Sequence, residues 1–383
     1  MRLVVVLAFI AAAAAPATLT PAAASAPVVT SVSAGGLHTC ALTTTGAVRC
    51  WGHNYNGQLG NGTTTDSLVP VRVSGLASGV TAVAAGYEHT CALTTTGGVK
   101  CWGHNRYGQL GDGTTKDSKT PVAVSGLSSG VTAIAAGYEH TCAFMETGGM
   151  KCWGLNVVGQ LGNGTMTDSP VPVDVSELVR GVVAVSAGGF HTCVLMATGG
   201  AKCWGWSKYG QLGIGGTKVA RTTPANVKGL VSGVATVSAG GWHTCALMEL
   251  GGAKCWGANS HGQVGDGTTT RRRVPTRVSG LSGAVSAISA GGWHTCAVME
   301  SGGVECWGDG YSGQLGNGTT TDRHAAADVL HLSSGVASVS AGAAHTCAVM
   351  MTGGVMCWGS NYVGQLGDGT TTNRLTPVDV HFR

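Results

Sequence analysis

Histidine and cysteine are the side chains here with the most chemistry in them, and they meet in HTCALTTTGAVRCWG, which runs from His38 to Gly52. Two thiols and an imidazole this close together are the makings of a zinc site, a dithiol redox centre or a base-activated nucleophile. The spacing argues against zinc, whose usual signature is two ligands about two to four residues apart followed by a second such pair. All 14 cysteines instead pair at ten positions: Cys40 with Cys50, Cys91 with Cys101, Cys142 with Cys152, Cys193 with Cys203, Cys245 with Cys255, Cys296 with Cys306 and Cys347 with Cys357. His-Thr-Cys begins at His38, His89, His140, His191, His243, His294 and His345, so the stretch occurs seven times at a spacing of 51, once 52. A catalytic centre needs one site unlike its neighbours. Seven equal copies point to disulfide staples and packing, with no metal or cofactor expected, and with each His ring nitrogen meeting a buried backbone carbonyl.

The elements that hold these residues follow from the repeat. Each copy has four short strand-like pieces, which in the second are VTAVAAG, HTCAL, VKCWG and, after a long loop, PVAV, with Gly punctuating them and no helical periodicity. Four strands in about 50 residues is the signature of a propeller blade. The expected fold is therefore all-β, a seven-bladed propeller over residues 27–383. The last copy ends in Pro377-Val378-Asp379-Val380, and this strand is expected to close the ring by pairing with the first blade. The loop Thr44-Thr45-Gly46, with Gly in the left-handed position, places Leu42 opposite Val48 and Cys40 opposite Cys50, close enough for a disulfide within each hairpin.

Residues 1–26 differ in kind. Arg2, the apolar run from Leu3 to Ala15 and the Ala-rich stretch to Ala24 or Ala26 read as a signal peptide cleaved near one of those alanines. An exported, secreted or extracytoplasmic protein follows, in a compartment where disulfides persist. The apolar run is too short to span a membrane. Removing Arg2 takes the formal charge from +4 to +3, too little to suggest nucleic acid as a partner.

The series VSAGGLHTCAL, CWG, GQLGNGTTT and PVRV resembles the repeat of the regulator of chromosome condensation family, and G-Q-L/V-G stands in every copy from Gly57 to Gly367. The resemblance covers all seven repeats and implies the seven-bladed ring. Its exported bacterial type implies protein binding through aromatic loop positions, and its eukaryotic members imply, as one alternative, a guanine nucleotide exchange regulator.

If the repeated residues build the ring, function belongs where the copies disagree. The pair before each HTC is Gly36-Leu37, Tyr87-Glu88, Tyr138-Glu139, Gly189-Phe190, Gly241-Trp242, Gly292-Trp293 and Ala343-Ala344. Strand direction puts these loops on one face with the long loops that carry Tyr55, Arg106, Tyr107, Trp206, Tyr209, Tyr311, Tyr362 and the run Arg271-Arg272-Arg273. Tyr, Trp and Arg anchor protein interfaces. The expected function is a non-catalytic, monomeric protein-binding module facing a secreted or cell-surface protein, with Tyr87, Glu88, Tyr138, Glu139, Phe190, Trp206, Trp242, Trp293, Arg271, Arg272 and Arg273 as binding residues. The alternative is a polysaccharide-binding or polysaccharide-cleaving protein, with Glu88 and Glu139 as the carboxylate pair a hydrolase needs. Asn61, Asn163 and Asn317 match a glycosylation sequon but alternate with Asp in sister copies, which marks them as turn residues.

Overall fold

A computed structural model describes residues 27–178 and 180–382 of the chain; the expected signal peptide lies outside them. They form seven four-stranded antiparallel sheets in sequence order, 28 strands in all, and among them no helix is long and apolar enough to cross a membrane. The first blade is β1 (Val29–Ala34), β2 (His38–Thr43), β3 (Val48–Gly52) and β4 (Ser67–Arg72). The first strands of all seven blades stand around the axis, and their Ala-Gly ends line a central recess of about 80 Å³.

The hairpin between the second and third strands has the register that its turn dictates. Leu42 pairs with Val48 and Cys40 with Cys50, with Gly46 at a φ of 74°, and all seven copies place Cys opposite Cys. Every pair is a disulfide, with Cα atoms 4.0–4.1 Å apart, and none of the 14 cysteines is free. Each bridge closes a short loop and contributes about 2–3 kcal/mol on a chain-entropy reckoning.

The core lies between blades. In the first such layer Cys40, Leu42, Val48 and Cys50 of one blade pack with Leu59, Val73 and Leu76 against Val80, Ala92 and Trp102 of the next. All seven CWG tryptophans are fully buried in equivalent layers. Burial of that much indole surface is worth about 4–6 kcal/mol each as an upper estimate.

The histidines differ from expectation in their partner. His38 Nε2 lies 2.8 Å from the Thr90 hydroxyl of the following blade, not against a carbonyl. Thr90 donates to the Gln58 carbonyl at 2.9 Å, and Trp102 Nε1 donates to the same oxygen at 2.9 Å. The hydroxyl proton is thus committed, so the hydroxyl oxygen accepts from the ring and the neutral imidazole carries its hydrogen on Nε2. The same relay joins His89 to Thr141, His140 to Thr192, His191 to Thr244, His243 to Thr295, His294 to Thr346 and His345 to Thr39, all at 2.7–2.9 Å. A Cβ on Gly35 would stand 2.7 Å from His38 Cε1 and 2.4 Å from the Gly86 carbonyl of the next blade, so only glycine fits beside the ring.

Ring closure corrects the expected strand exchange. The last strand, β28 (Arg374–Asp379), pairs with β27 (Val355–Gly359) of its own blade, and β4 already fills the outer position of the first. The chain enters at an inner strand and leaves at an outer one, so no blade lacks a strand to borrow. The seam is closed like any other interface: by His345 to Thr39, by Thr39 and Trp51 donating to the Gln365 carbonyl at 2.9 and 3.0 Å, and by Gly369 N to the Leu68 carbonyl at 3.0 Å. Phe382 adds an edge-on contact to Trp51 at 5.8 Å.

Complete burial lowers the pKa of each relay histidine from 6.5 to about 3 (His38, His89, His191, His243, His294) or about 4 (His140, His345). Below pH 6.5 the unfolded chain takes up protons that the native chain refuses until about pH 3–4. The stability these groups supply is whole above pH 6.5 and is lost as pH falls through that window, at about 1.4 kcal/mol per proton per pH unit. Denaturant titrations between about pH 5 and 5.5 should therefore give a slope corresponding to about seven protons taken up on unfolding; a slope of about two or fewer contradicts the relay.

Candidate functional site

The loops before each HTC and after each CWG emerge on the same face, and there the copies diverge into one cluster of rings. Tyr87 meets Tyr138 at a centroid distance of 4.8 Å, Tyr138 meets Phe190 at 5.8 Å, Phe190 meets Trp242 at 5.6 Å and Trp242 meets Trp293 at 5.6 Å. This arc crosses blades two to six. Trp206, which ends β15 (Ala201–Trp206), packs outside it against Phe190 and Trp242 at 5.8 and 5.4 Å, and Tyr209 follows against Trp206 at 5.6 Å. Tyr87 and Tyr138 lie at the mouth of the central recess, which is far below the few hundred Å³ of a small-molecule pocket. Burial pushes both phenols above their ordinary pKa, Tyr138 the further of the two.

The structure separates the sequence-predicted residues into two groups. Tyr87, Tyr138, Phe190, Trp206, Trp242 and Trp293 come together in the arc, all of them half-buried against one another. The arginine run does not join it. Arg272 and Arg273 belong to the outer strand β20 (Arg272–Arg277), where Arg272 binds Asp266 and Arg273 reaches the Gly216 carbonyl; Arg271 is exposed beside them. Tyr55, Tyr311 and Tyr362 are exposed on the long loops.

Glu88 and Glu139 sit beside Tyr87 and Tyr138 and do approach one another, around His104. One atom from each of the three lies within 4.8 Å of the others, His104 Nδ1 being 3.2 Å from Glu139 Oε2 and 4.0 Å from Glu88 Oε2. Gln109 Nε2 donates to Glu139, and Asn56 Nδ2 donates to Glu88 at 3.1 Å. The hydrogen bond to Glu139 raises the His104 pKa against the opposing effect of burial, with the charges of Glu139, Asp117 and Glu88 adding to the rise. At the other end of the arc His261 lies edge-on to Trp293 at 5.6 Å and bonds Asp322 at 2.9 Å, with Asp309 completing a second trio within 4.8 Å. Sequence reading missed His104, His261, Asp309 and Asp322. For His104 and Asp309 the available signal was that the residue after CWG is His in only the first two copies and Asp in only the sixth.

That same position decides the hydrogen bonding beneath the arc. In every blade the GQLG glutamine accepts a backbone N–H through Oε1, as Gln58 does from Asn56, which aims its Nε2 toward the residue after CWG. His53, Asp309 and Ser360 accept from that amide at 2.8–3.1 Å in blades one, six and seven, and in blade two it donates to Glu139, the partner of His104. In blades three, four and five the position holds Leu155, Trp206 and Ala258, and Gln160, Gln211 and Gln263 keep fully buried Nε2 donors without a partner. The sequons are turns as expected: Asn61 Oδ1 accepts from Thr63 N and Oγ1, and Asp112 does the same for Thr114.

Residues 11–282 match the RCC1-like domain, and the regulator of chromosome condensation (RCC1) repeat matches 285–314, 336–365, 301–349 and 352–383. The ultraviolet-B receptor UVR8 of Arabidopsis thaliana is 34% identical over 354 residues, covering 90% of this chain and 80% of that protein. The human E3 ubiquitin-protein ligase HERC2 is 33% identical over 303 residues, 76% of this chain but 6% of its own length. Among solved structures, human WBSCR16 superposes with a TM-score of 0.79 at 24% identity, covering 88% of this chain and 94% of its own. Yeast RCC1 (Prp20), solved bound to Kap60, does so at 0.74 and 24%, covering 82% and 78%. These two likenesses speak for the fold. With its repeat models, its 34% identity to a full-length relative and its seven-bladed ring, the chain belongs to the regulator of chromosome condensation (RCC1) repeat family.

Proposed function

We propose that this protein is an exported, non-catalytic binding module that docks a partner protein on the aromatic arc of blades two to six. The observation that carries the reading is the unbroken row of rings from Tyr87 through Tyr138, Phe190 and Trp242 to Trp293, contributed by five successive blades at positions where the other two carry none. Gln160, Gln211 and Gln263 lie in consecutive blades beneath the arc, and their missing partners cost about 1–3 kcal/mol apiece. Rigid Tyr and Trp rings held against one another, with exposed tyrosines around them, are the composition of a protein-binding hot spot. Family members with protein partners are consistent with this: the yeast homologue was solved with Kap60 bound. Seven disulfides suit an extracellular or otherwise oxidising setting.

A second reading, perception of ultraviolet-B light, is favoured by Trp206, Trp242 and Trp293, whose indoles are in contact at 5.4 and 5.6 Å in a chain resembling a receptor for that light. Illumination in the indole band should then change the oligomeric mass or partner affinity of the protein, and Trp242→Phe should abolish the change. An unchanged mass and affinity dismisses this reading.

For the primary reading, Trp242→Ala with Trp293→Ala should weaken capture of bound protein from culture supernatant or cell-surface extract about a thousandfold, at about 2 kcal/mol per ring. Retained capture sinks the arc, and sugar release that Glu88→Gln abolishes would favour a hydrolase instead. Ala258→Ser should supply Gln263 with the acceptor that Ser360 gives Gln365, raising unfolding stability by about 1 kcal/mol in denaturant titration.

A further inference from the structure

Each end of the aromatic arc carries a pair of carboxylates. At the tyrosine end Glu88 and Glu139 offer oxygens within 4.8 Å of one another, and at the tryptophan end Asp309 and Asp322 do the same. Between them run only rings: Tyr87, Tyr138, Phe190, Trp242 and Trp293. Lys208 and Arg106 lie over Tyr209 and Tyr107, at 6.0 and 5.7 Å, on the long loops outside this line. The pattern along the arc is therefore acidic, apolar, acidic.

The geometry of each pair suits one cation. Two carboxylate oxygens no more than 4.8 Å apart can both lie about 2.8 Å from a single ammonium or guanidinium nitrogen, the length of a charge-assisted hydrogen bond. Neighbours hold the carboxylates in place: Asn56 on Glu88, Gln109 on Glu139, Gln314 on Asp309 and the Gly310 amide on Asp322. Each pair also has one histidine, His104 or His261, and no Lys or Arg forms an ion pair with any of the four carboxylates among the described residues. The side chains of Glu88 and Glu139 are 28% and 17% exposed, enough for an incoming group to reach an oxygen without displacing the fold.

We infer that the occupant of the arc is a segment of another protein with an apolar or aromatic centre flanked on both sides by Lys or Arg, each flanking cation bridging one carboxylate pair. The inference rests on the arc being a protein-binding site and adds the chemistry of the partner. Apolar contacts supply the affinity, and the two acidic ends set orientation and reject acidic partners.

The probe is a library of random dodecapeptides displayed on phage and selected on the disulfide-intact chain, with Trp242→Ala as the counter-selection. Enriched peptides should share an apolar centre with Lys or Arg on both sides. Replacing one flanking cation by Gln should weaken binding about tenfold to the native chain. That loss should vanish for the cation facing the Glu88→Gln, Glu139→Gln double variant, as coupled pairs require. Peptides enriched with no excess of Lys or Arg, or cation losses that persist in the double variant, overturn the acidic clamps and leave the arc as a binding site. No enrichment over Trp242→Ala overturns both. Binding that disappears with a chelator assigns the carboxylates to a metal ion and overturns the clamps as well.

Discussion

Every blade interface depends on one short relay, from an imidazole N–H to a threonine hydroxyl to a glutamine carbonyl that a tryptophan also serves. The ring is fully buried, and burial keeps it neutral. Burial in turn demands glycine on the inner strand, because a Cβ there would strike both the imidazole and the neighbouring blade. The relay leaves Nδ1 of all seven rings unpaired, a recurring cost that the interface offsets by packing a whole indole and a cystine at the same level. It also explains the rigidity of the spacing. His, Thr, Gln and Trp come from three different points of the repeat in two different blades, so a slip in any one loop would misplace a donor at its neighbour. The fourth copy absorbs its extra residue near Ile214, beyond GQLG, where none of these groups is moved.

Much of this was legible in the sequence because it is local. The hairpin register follows from a turn and a glycine, and the disulfides follow from the register. The blade count follows from repetition alone. Two features were not legible because they relate residues far apart. The histidine partner lies 52 residues away in another sheet, and nothing in the HTC triplet distinguishes a hydroxyl from a carbonyl as the acceptor. The seam is hidden because each end of the chain looks incomplete when read alone, although the first copy carries its own outer strand at Ser67–Arg72. On the binding face, the divergence of the pairs before HTC located the rings. The His and Asp residues that gather the carboxylates stayed hidden, since each stands in a different loop and only folding brings those loops together.

The face and the ring make opposite demands on the residue after CWG. Where it is polar, it meets the buried glutamine; where it is Leu155, Trp206 or Ala258, the glutamine has no protein partner, and Trp206 adds its ring to the cluster on the face. The exchange is confined to three adjacent blades. A scaffold with seven redundant interfaces can tolerate three imperfect ones, which is a physical reason for symmetric rings to carry asymmetric binding surfaces.

The way the ring closes bears on how such a molecule can be rearranged. With no strand shared between the first and last blades, the junction at Thr39, Gln365 and Trp51 is equivalent to the six others. The order of the blades around the axis is then free of the order in which they are encoded. A gene that began in any of the six linkers between blades, with the present ends joined, would specify the same ring, so the aromatic arc can be reset relative to the termini without remaking a single blade interface.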